Sequence, residues 1–346
     1  MSALAPWQQP CCDDLRARVR EDRLGHGLLL CGLPGLGKYA VLEAFVSGLL
    51  CESPGAGGAP CGGCRGCSQH LAGSHPNCMV LSPDPAARPA LAQYPAQASQ
   101  KPGRSRQWIT VDQVRELVEF ARSSAHYLQP KVAVLQAAER LNESAANALL
   151  KVLEEPPGAI YLILVSGRPG RLLPTLRSRC QRFELRPPPR AQSLDWLARE
   201  CELPTGEAQA LLDLAGHAPG LVSRLAEAGV GTLRERLDEI LDGVRAHRLD
   251  PLVIAGELEQ VEPVWLDRVL QKVLLERLRR ATQPAPDATL PSDRLEWRGL
   301  LAALDAVQDW RRLEAHQLNR RLLLEDFLID WQRGSVVSAG STMHGR

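Results

Sequence analysis

Cys51, Cys61, Cys64 and Cys67 follow one another with the spacing C-x9-C-x2-C-x2-C. Two-residue gaps let successive thiolates turn toward one centre, and Gly62, Gly63 and Gly66 relieve the backbone strain of doing so. Four soft sulfur ligands complete a tetrahedron and leave no open position. The pattern therefore predicts a structural Zn2+ module over residues 51–67 rather than a hydrolytic metal. Two other readings compete: four free thiols in a loop, and an iron–sulfur cluster, for which the C-x3-C-P continuation is missing. Cys78 is close enough in sequence to replace Cys51 as fourth ligand, and spacing leaves that choice open.

A second pattern, Gly32-Leu33-Pro34-Gly35-Leu36-Gly37-Lys38, fits G-x-x-x-x-G-K, in which backbone N–H groups and a helix N-terminus hold phosphates while the lysine neutralises them. Gly32, Gly35, Gly37 and Lys38 are thus the candidate nucleotide-binding residues. The next position calls for the short hydroxyl of Ser or Thr to ligate Mg2+, and Tyr39 stands there instead. Hydrolysis also needs a carboxylate at the end of a neighbouring strand. After Val132-Ala133-Val134-Leu135 the chain offers Gln136-Ala137-Ala138-Glu139, with Glu139 three residues late and expected to solvate the surface. With these roles unfilled, the loop reads as a vestige; ATP hydrolysis is not expected, and passive nucleotide binding through Lys38 is left open.

The elements that must position these residues follow from periodicity. The apolar run 28–31, the glycine-rich turn and the helical recurrence of Ala40, Val41, Ala44 and Phe45 read as strand, loop and helix. Thr110-Val111-Asp112-Gln113 forms a capping box opening a helix, with Val114, Leu117, Val118 and Ala121 on one face. A strand is predicted at Val132–Leu135. A helix carrying Ala146, Leu149, Leu150 and Leu153 must stop at Glu155, before Pro156-Pro157, and a third strand covers Ile160–Val165. Alternating strands and helices predict a parallel sheet covered on both faces. Residues 82–107, rich in Pro, Ala, Gln and Ser, read as a flexible surface insertion without core.

Pro187-Pro188-Pro189 stiffens a linker, after which the pattern is helical throughout. The expected domains are 1–186 with the zinc module, a small helical domain at 187–229, a helical bundle at 230–333, and a disordered tail at 334–346. The chain has 346 residues, 45% hydrophobic and 23% charged, enough for two or three ordinary cores. Its net charge of +1 excludes a polybasic field for independent DNA binding. No apolar run is long enough to span a bilayer and no signal-peptide pattern opens the chain, so a cytoplasmic protein is expected. His26 and His70 read as cap or surface residues, and Arg311-Arg312 and Arg320-Arg321 as a solvated face or a subunit surface.

Ala145-Ala146-Asn147-Ala148-Leu149-Leu150-Lys151-Val152-Leu153-Glu154-Glu155-Pro156-Pro157, followed by Leu176-Arg177-Ser178-Arg179-Cys180, resembles bacterial AAA+ clamp-loader subunits of DNA polymerase III. The cysteine cluster, Ile109-x-Val111-Asp112-x-Val114-Arg115-Glu116-Leu117 and the degraded metal positions resemble the delta-prime branch of that family; together these cover about residues 24–185. The resemblance implies a RecA-like α/β AAA+ domain, a helical lid and an all-α collar. It also implies a pentameric loader in which such a chain is the rigid end subunit, beside gamma or tau and delta, and meets the sliding clamp and primed DNA as part of the complex. Ser178-Arg179-Cys180 matches the family's arginine-finger motif, which makes Arg179 the residue that acts in trans on a neighbour's nucleotide. Ser166-Gly167 and Gly216-His217-Ala218-Pro219-Gly220 stand where the motor subunits carry sensors, which again fits a chain without its own ATPase. Two alternatives remain at this stage: a motor-type clamp-loader ATPase, and a zinc-dependent DNA-binding protein with a relic ATPase fold.

Overall fold

The computed structural model describes residues 4–83, 108–125, 129–156, 158–282, 294–313 and 319–333. Most of the expected insertion, and the expected tail at 334–346, lie outside them. Two compact units emerge, Met1–Gln192 and Ser193–Arg346.

The first unit holds a five-stranded parallel sheet ordered β2-β3-β4-β1-β5, built from β1 (Gly27–Cys31), β2 (Cys78–Leu81), β3 (Lys131–Leu135), β4 (Ile160–Ser166) and β5 (Gln181–Glu184). The helices are α1 (Gln9–Arg20), α2 (Lys38–Leu49), α3 (Arg65–Leu71), α4 (Val111–Arg122), α5 (Glu143–Glu154) and α6 (Pro174–Ser178). Strands β1 and β3 are buried at every residue, which is why they read as unbroken apolar runs. The two strands that periodicity did not predict, β2 and β5, are the four-residue edges of the sheet. In β5 only Phe183 is buried, so the segment carries no apolar run to detect.

Local chemistry sets the helix ends. The Thr110–Gln113 capping box opens α4, with Gln113 Oε1 accepting from Thr110 N–H at 3.0 Å. Asn142 Oδ1 accepts from Ala145 N–H at 2.8 Å to start α5. That helix ends at Glu154, ahead of Pro156, as the sequence requires. Helices α4 and α5 bury Val114, Leu117, Leu149 and Val152 against Leu29, Ala133, Leu135 and Leu162 of the sheet. The expectation that 82–107 carries no core fails at its first residue: Ser82 is buried, and its carbonyl accepts from Gln113 Nε2 at 3.2 Å. The polar residue that caps α4 therefore also fastens the chain leaving β2.

Past α7 (Arg190–Glu200), helices are the only regular elements among the described residues of the second unit: α8 (Thr205–Leu214), α9 (Pro219–Glu227), α10 (Val230–Arg245), α11 (Pro251–Leu258), α12 (Pro263–Thr282), α13 (Arg294–Leu313) and α14 (Arg320–Arg333). Arg277 of α12 ties two turns of α10 together, meeting Asp238 at 2.7 Å and Asp242 at 2.6 Å. Trp331 of α14, fully buried, donates its indole N–H to Leu241 O at 2.9 Å. Among the described residues no helix is long and apolar enough to cross a membrane.

Candidate functional site

The glycine-rich loop leaves the carboxyl end of β1, where Cys31 is in register with Ser166 of β4. Crevices at carboxyl ends of parallel strands are where such sheets bind ligands. Lys38, first residue of α2 and only 6% exposed, turns its ammonium back into the loop, donating to Gly32 O at 2.8 Å and Leu33 O at 3.0 Å. Burial pushes its pKa down, against the pull of Glu139. Trp7 Nε1 and Gln8 Nε2 both donate to Leu36 O, at 3.0 and 3.1 Å. Gly37 has φ +82, and a Cβ there would stand 1.9 Å from Gln8 Nε2, so the loop needs glycine for both backbone and space. Tyr39 follows Lys38 in α2; burial, then Glu139, raises its phenol to about 12.

No carboxylate stands directly at the end of β3, where Gln136 is buried and Ala137 adopts a left-handed conformation. Glu139 does not solvate the surface, contrary to the sequence expectation. Its Oε1 accepts from Gly167 N–H at 3.2 Å, which ties the turn after β3 to the turn after β4. The left-handed residue at Ala137 turns the chain so that a side chain three positions late reaches back over the sheet.

Cys51 follows α2, while Cys64 is the N-cap of α3 and Cys67 lies within it; the four sulfurs all fall within 4.8 Å of one another. The Cys51–Cys64 and Cys61–Cys67 separations are 3.8 and 4.0 Å. A tetrahedral zinc with Zn–S bonds near 2.3 Å sets sulfurs about 3.8 Å apart, so the donor set fits the ion. Backbone N–H groups of Cys61, Cys64 and Cys67 point at the sulfurs of Cys51, Cys61 and Cys64, at 3.3, 3.4 and 3.3 Å. Burial opposes ionisation of Cys64, but N–H donation from Cys67 and Glu52 and the neighbouring thiols outweigh it and hold the thiol down to about 6. Cys78 lies on β2, paired with Val132, and is not one of the four clustered cysteines, which include Cys51.

Arg179 caps the short α6 on the surface. Its Nη2 meets Glu154 Oε1 at 2.6 Å and its Nη1 donates to Thr175 O at 3.2 Å.

The family profile described as "DNA polymerase III, delta subunit" matches residues 7–189. The delta' subunit of DNA polymerase III from Pseudomonas aeruginosa is 35% identical, with 96% of this chain and 98% of that protein aligned. The chain belongs to the DNA polymerase III delta-prime family. Its Escherichia coli member is 36% identical over 68% of this chain and 65% of that protein. A solved gamma subunit-related protein from Thermotoga maritima aligns over 93% of this chain and 98% of its own, at 18% identity and a TM-score of 0.41.

In this delta-prime family member, several polar residues that support the site escaped the sequence reading. His70, expected as a cap or surface residue, is instead buried: its Nε2 meets Glu43 Oε1 at 2.7 Å, joining α3 to α2, and Ser47 Oγ donates to the same oxygen at 3.2 Å. His75, 2% exposed, accepts at Nδ1 from Asn77 N–H at 3.2 Å and bonds the Leu50 backbone beside Cys51. Burial, with His70 nearby, depresses its pKa to about 4. His26 is a cap as expected, donating from Nε2 to Leu153 O at the end of α5 at 2.8 Å. Only the i,i+4 spacing of Glu43 and Ser47 hinted at any of this.

Proposed function

We propose that this chain is a non-hydrolysing subunit of the DNA polymerase III clamp loader, with an AAA+ first domain. In this reading it is a stator beside gamma or tau and delta, and it meets the sliding clamp and primed DNA as part of that assembly. Arg179 acts as an arginine finger on the nucleotide of a neighbouring ATPase subunit, where a guanidinium offsets charge gathering on the γ-phosphate. The chain past β5 supplies a lid at 187–229 and a collar at 230–333. Zn2+ held by Cys51, Cys61, Cys64 and Cys67 staples the module between α2 and β2.

The observation that carries this reading is the division of labour between two sites. The loop at Gly32–Lys38 has its lysine committed to the loop's own carbonyls and a phenol where the metal hydroxyl belongs. Arg179, by contrast, sits on the surface with its side chain 38% exposed, anchored among the described residues by Glu154 of α5 and Thr175 of α6. A cation presented outward by a chain with a phenol at position 39 and no carboxylate directly at the end of β3 suits chemistry completed on another chain. The competing motor-type reading is tested by steady-state Mg2+-dependent ATPase of the purified chain. No turnover above background is expected, and robust turnover by the clean polypeptide would overturn the proposal. The DNA-binding alternative predicts tight, steeply salt-dependent binding of primed DNA by the isolated chain, whereas weak binding is expected here.

A further inference from the structure

Arg179 does not hang free on the surface. A guanidinium has five N–H donors in a rigid plane, and here its two terminal nitrogens each spend one on this chain: Nη2 on Glu154 Oε1 at 2.6 Å and Nη1 on Thr175 O at 3.2 Å. Three donors remain for a ligand. Two anchors on opposite nitrogens fix the plane of the group, which a single contact cannot do.

The backbone that carries this carboxylate is anchored at the end of α5. Glu154 is the last residue of α5, and the carbonyl of the preceding Leu153 accepts from His26 Nε2 at 2.8 Å. A Cβ at Gly27 would stand 2.7 Å from Leu153 Cδ2 and 3.2 Å from Arg179 O, so glycine at the start of β1 lets the end of α5 and the backbone of Arg179 converge on one strand. Glu154 and Arg179 are thereby mounted on a common support. The chemistry is that of an oriented guanidinium: a carboxylate fixes its plane and leaves N–H donors over for an anion.

We infer that Glu154 is a positioning residue for Arg179, holding the guanidinium in the orientation in which its remaining donors meet the terminal phosphate of a neighbour's nucleoside triphosphate. This rests on the reading of Arg179 as a residue acting in trans. Side chains 38% and 48% exposed make the pair a solvated one. Such pairs contribute modestly, so the expected effect of losing it is about two- to fivefold rather than the full loss of the finger.

The test is a double-mutant cycle in a loader reconstituted from full-length chains, reading DNA-stimulated ATPase with kcat and KM separated. Glu154→Gln keeps size and an acceptor but removes the charge; it should lower kcat by about two- to fivefold at unchanged KM and unchanged assembly. In an Arg179→Ala background the same change should have no further effect, since the two residues act as one unit. An unchanged or raised kcat for Glu154→Gln, or an equal loss in both backgrounds, would overturn the inference while leaving Arg179 in its role. If Arg179→Ala alone leaves turnover intact, the underlying reading fails, and this inference with it. A melting curve of each variant identifies a fall in kcat that comes from unfolding, an outcome that also counts against the positioning role.

Discussion

Replacing Gly66 with alanine sets two opposing effects against each other. Gly66 lies in α3 between Cys64 and Cys67, with ordinary helical backbone, so helix propensity alone favours alanine by about 1 kcal/mol. Packing opposes it: the new Cβ would stand 2.3 Å from the Leu50 carbonyl oxygen and 3.5 Å from His75 Nε2. The carbonyl is main chain and cannot swing aside as a side-chain tip would. Restoring van der Waals contact requires α3 to move about 1 Å from residue 50, which carries Cys51 away from Cys64 and Cys67. Metal–ligand distances tolerate about 0.2 Å, so metal binding by the four cysteines should suffer first. We expect at least about tenfold weaker zinc binding, and a net loss of about 1–3 kcal/mol in stability despite the gain in propensity. Zinc content by elemental analysis, competition with a chromophoric chelator and thermal unfolding read the two effects separately. Gly63→Ala is the control, because nothing lies within 4 Å of a Cβ there. A Gly66→Ala protein that binds zinc like the parent and melts higher would refute the packing argument and the place of Cys51 in the site.

Changing Cys61 and Cys64 to Ser should abolish binding of one zinc per chain, read by elemental analysis; stoichiometric iron in the parent would replace the zinc assignment with a cluster. His75 gives a pH dependence of definite sign. Its folded pKa of about 4 lies below the ordinary 6.5, so the unfolded chain takes up a proton that the fold refuses, and stability falls as pH drops below 6.5 until about 4. Between pH 7 and 5 this amounts to about 2 kcal/mol at about 1.4 kcal/mol per pH unit, measured by urea unfolding and absent from His75→Gln. Glu139→Ala should leave Gly167 N–H without its carboxylate acceptor and destabilise the first unit by about 1–3 kcal/mol; stability equal to the parent would mean that the bond contributes nothing.

Much of this was legible in the sequence because the signals were local. Helix α4 follows from its capping box, α5 from its apolar recurrence and the prolines that stop it, and the cysteine module from its spacing. Edge strand β5 was not legible, since only Phe183 faces the core, and neither was Glu139, whose partner Gly167 lies 28 residues away. His70 and His75 were hidden for the same reason: their surroundings come from Glu43 and Leu50, brought close only when α3 folds back onto α2. Sequence gives residue types and short-range geometry; burial and long-range pairing decide whether a polar side chain solvates a surface or fastens two turns.

The central claim is that this chain lends a cation to a reaction for which its own loop lacks the metal-holding oxygens. The most direct measurement compares DNA-stimulated ATP turnover in a loader reconstituted with the parent chain and with Arg179→Ala, assembly being verified for both. The account predicts a drop of up to about 10³-fold with the complex intact. Equal turnover from the two loaders would contradict it.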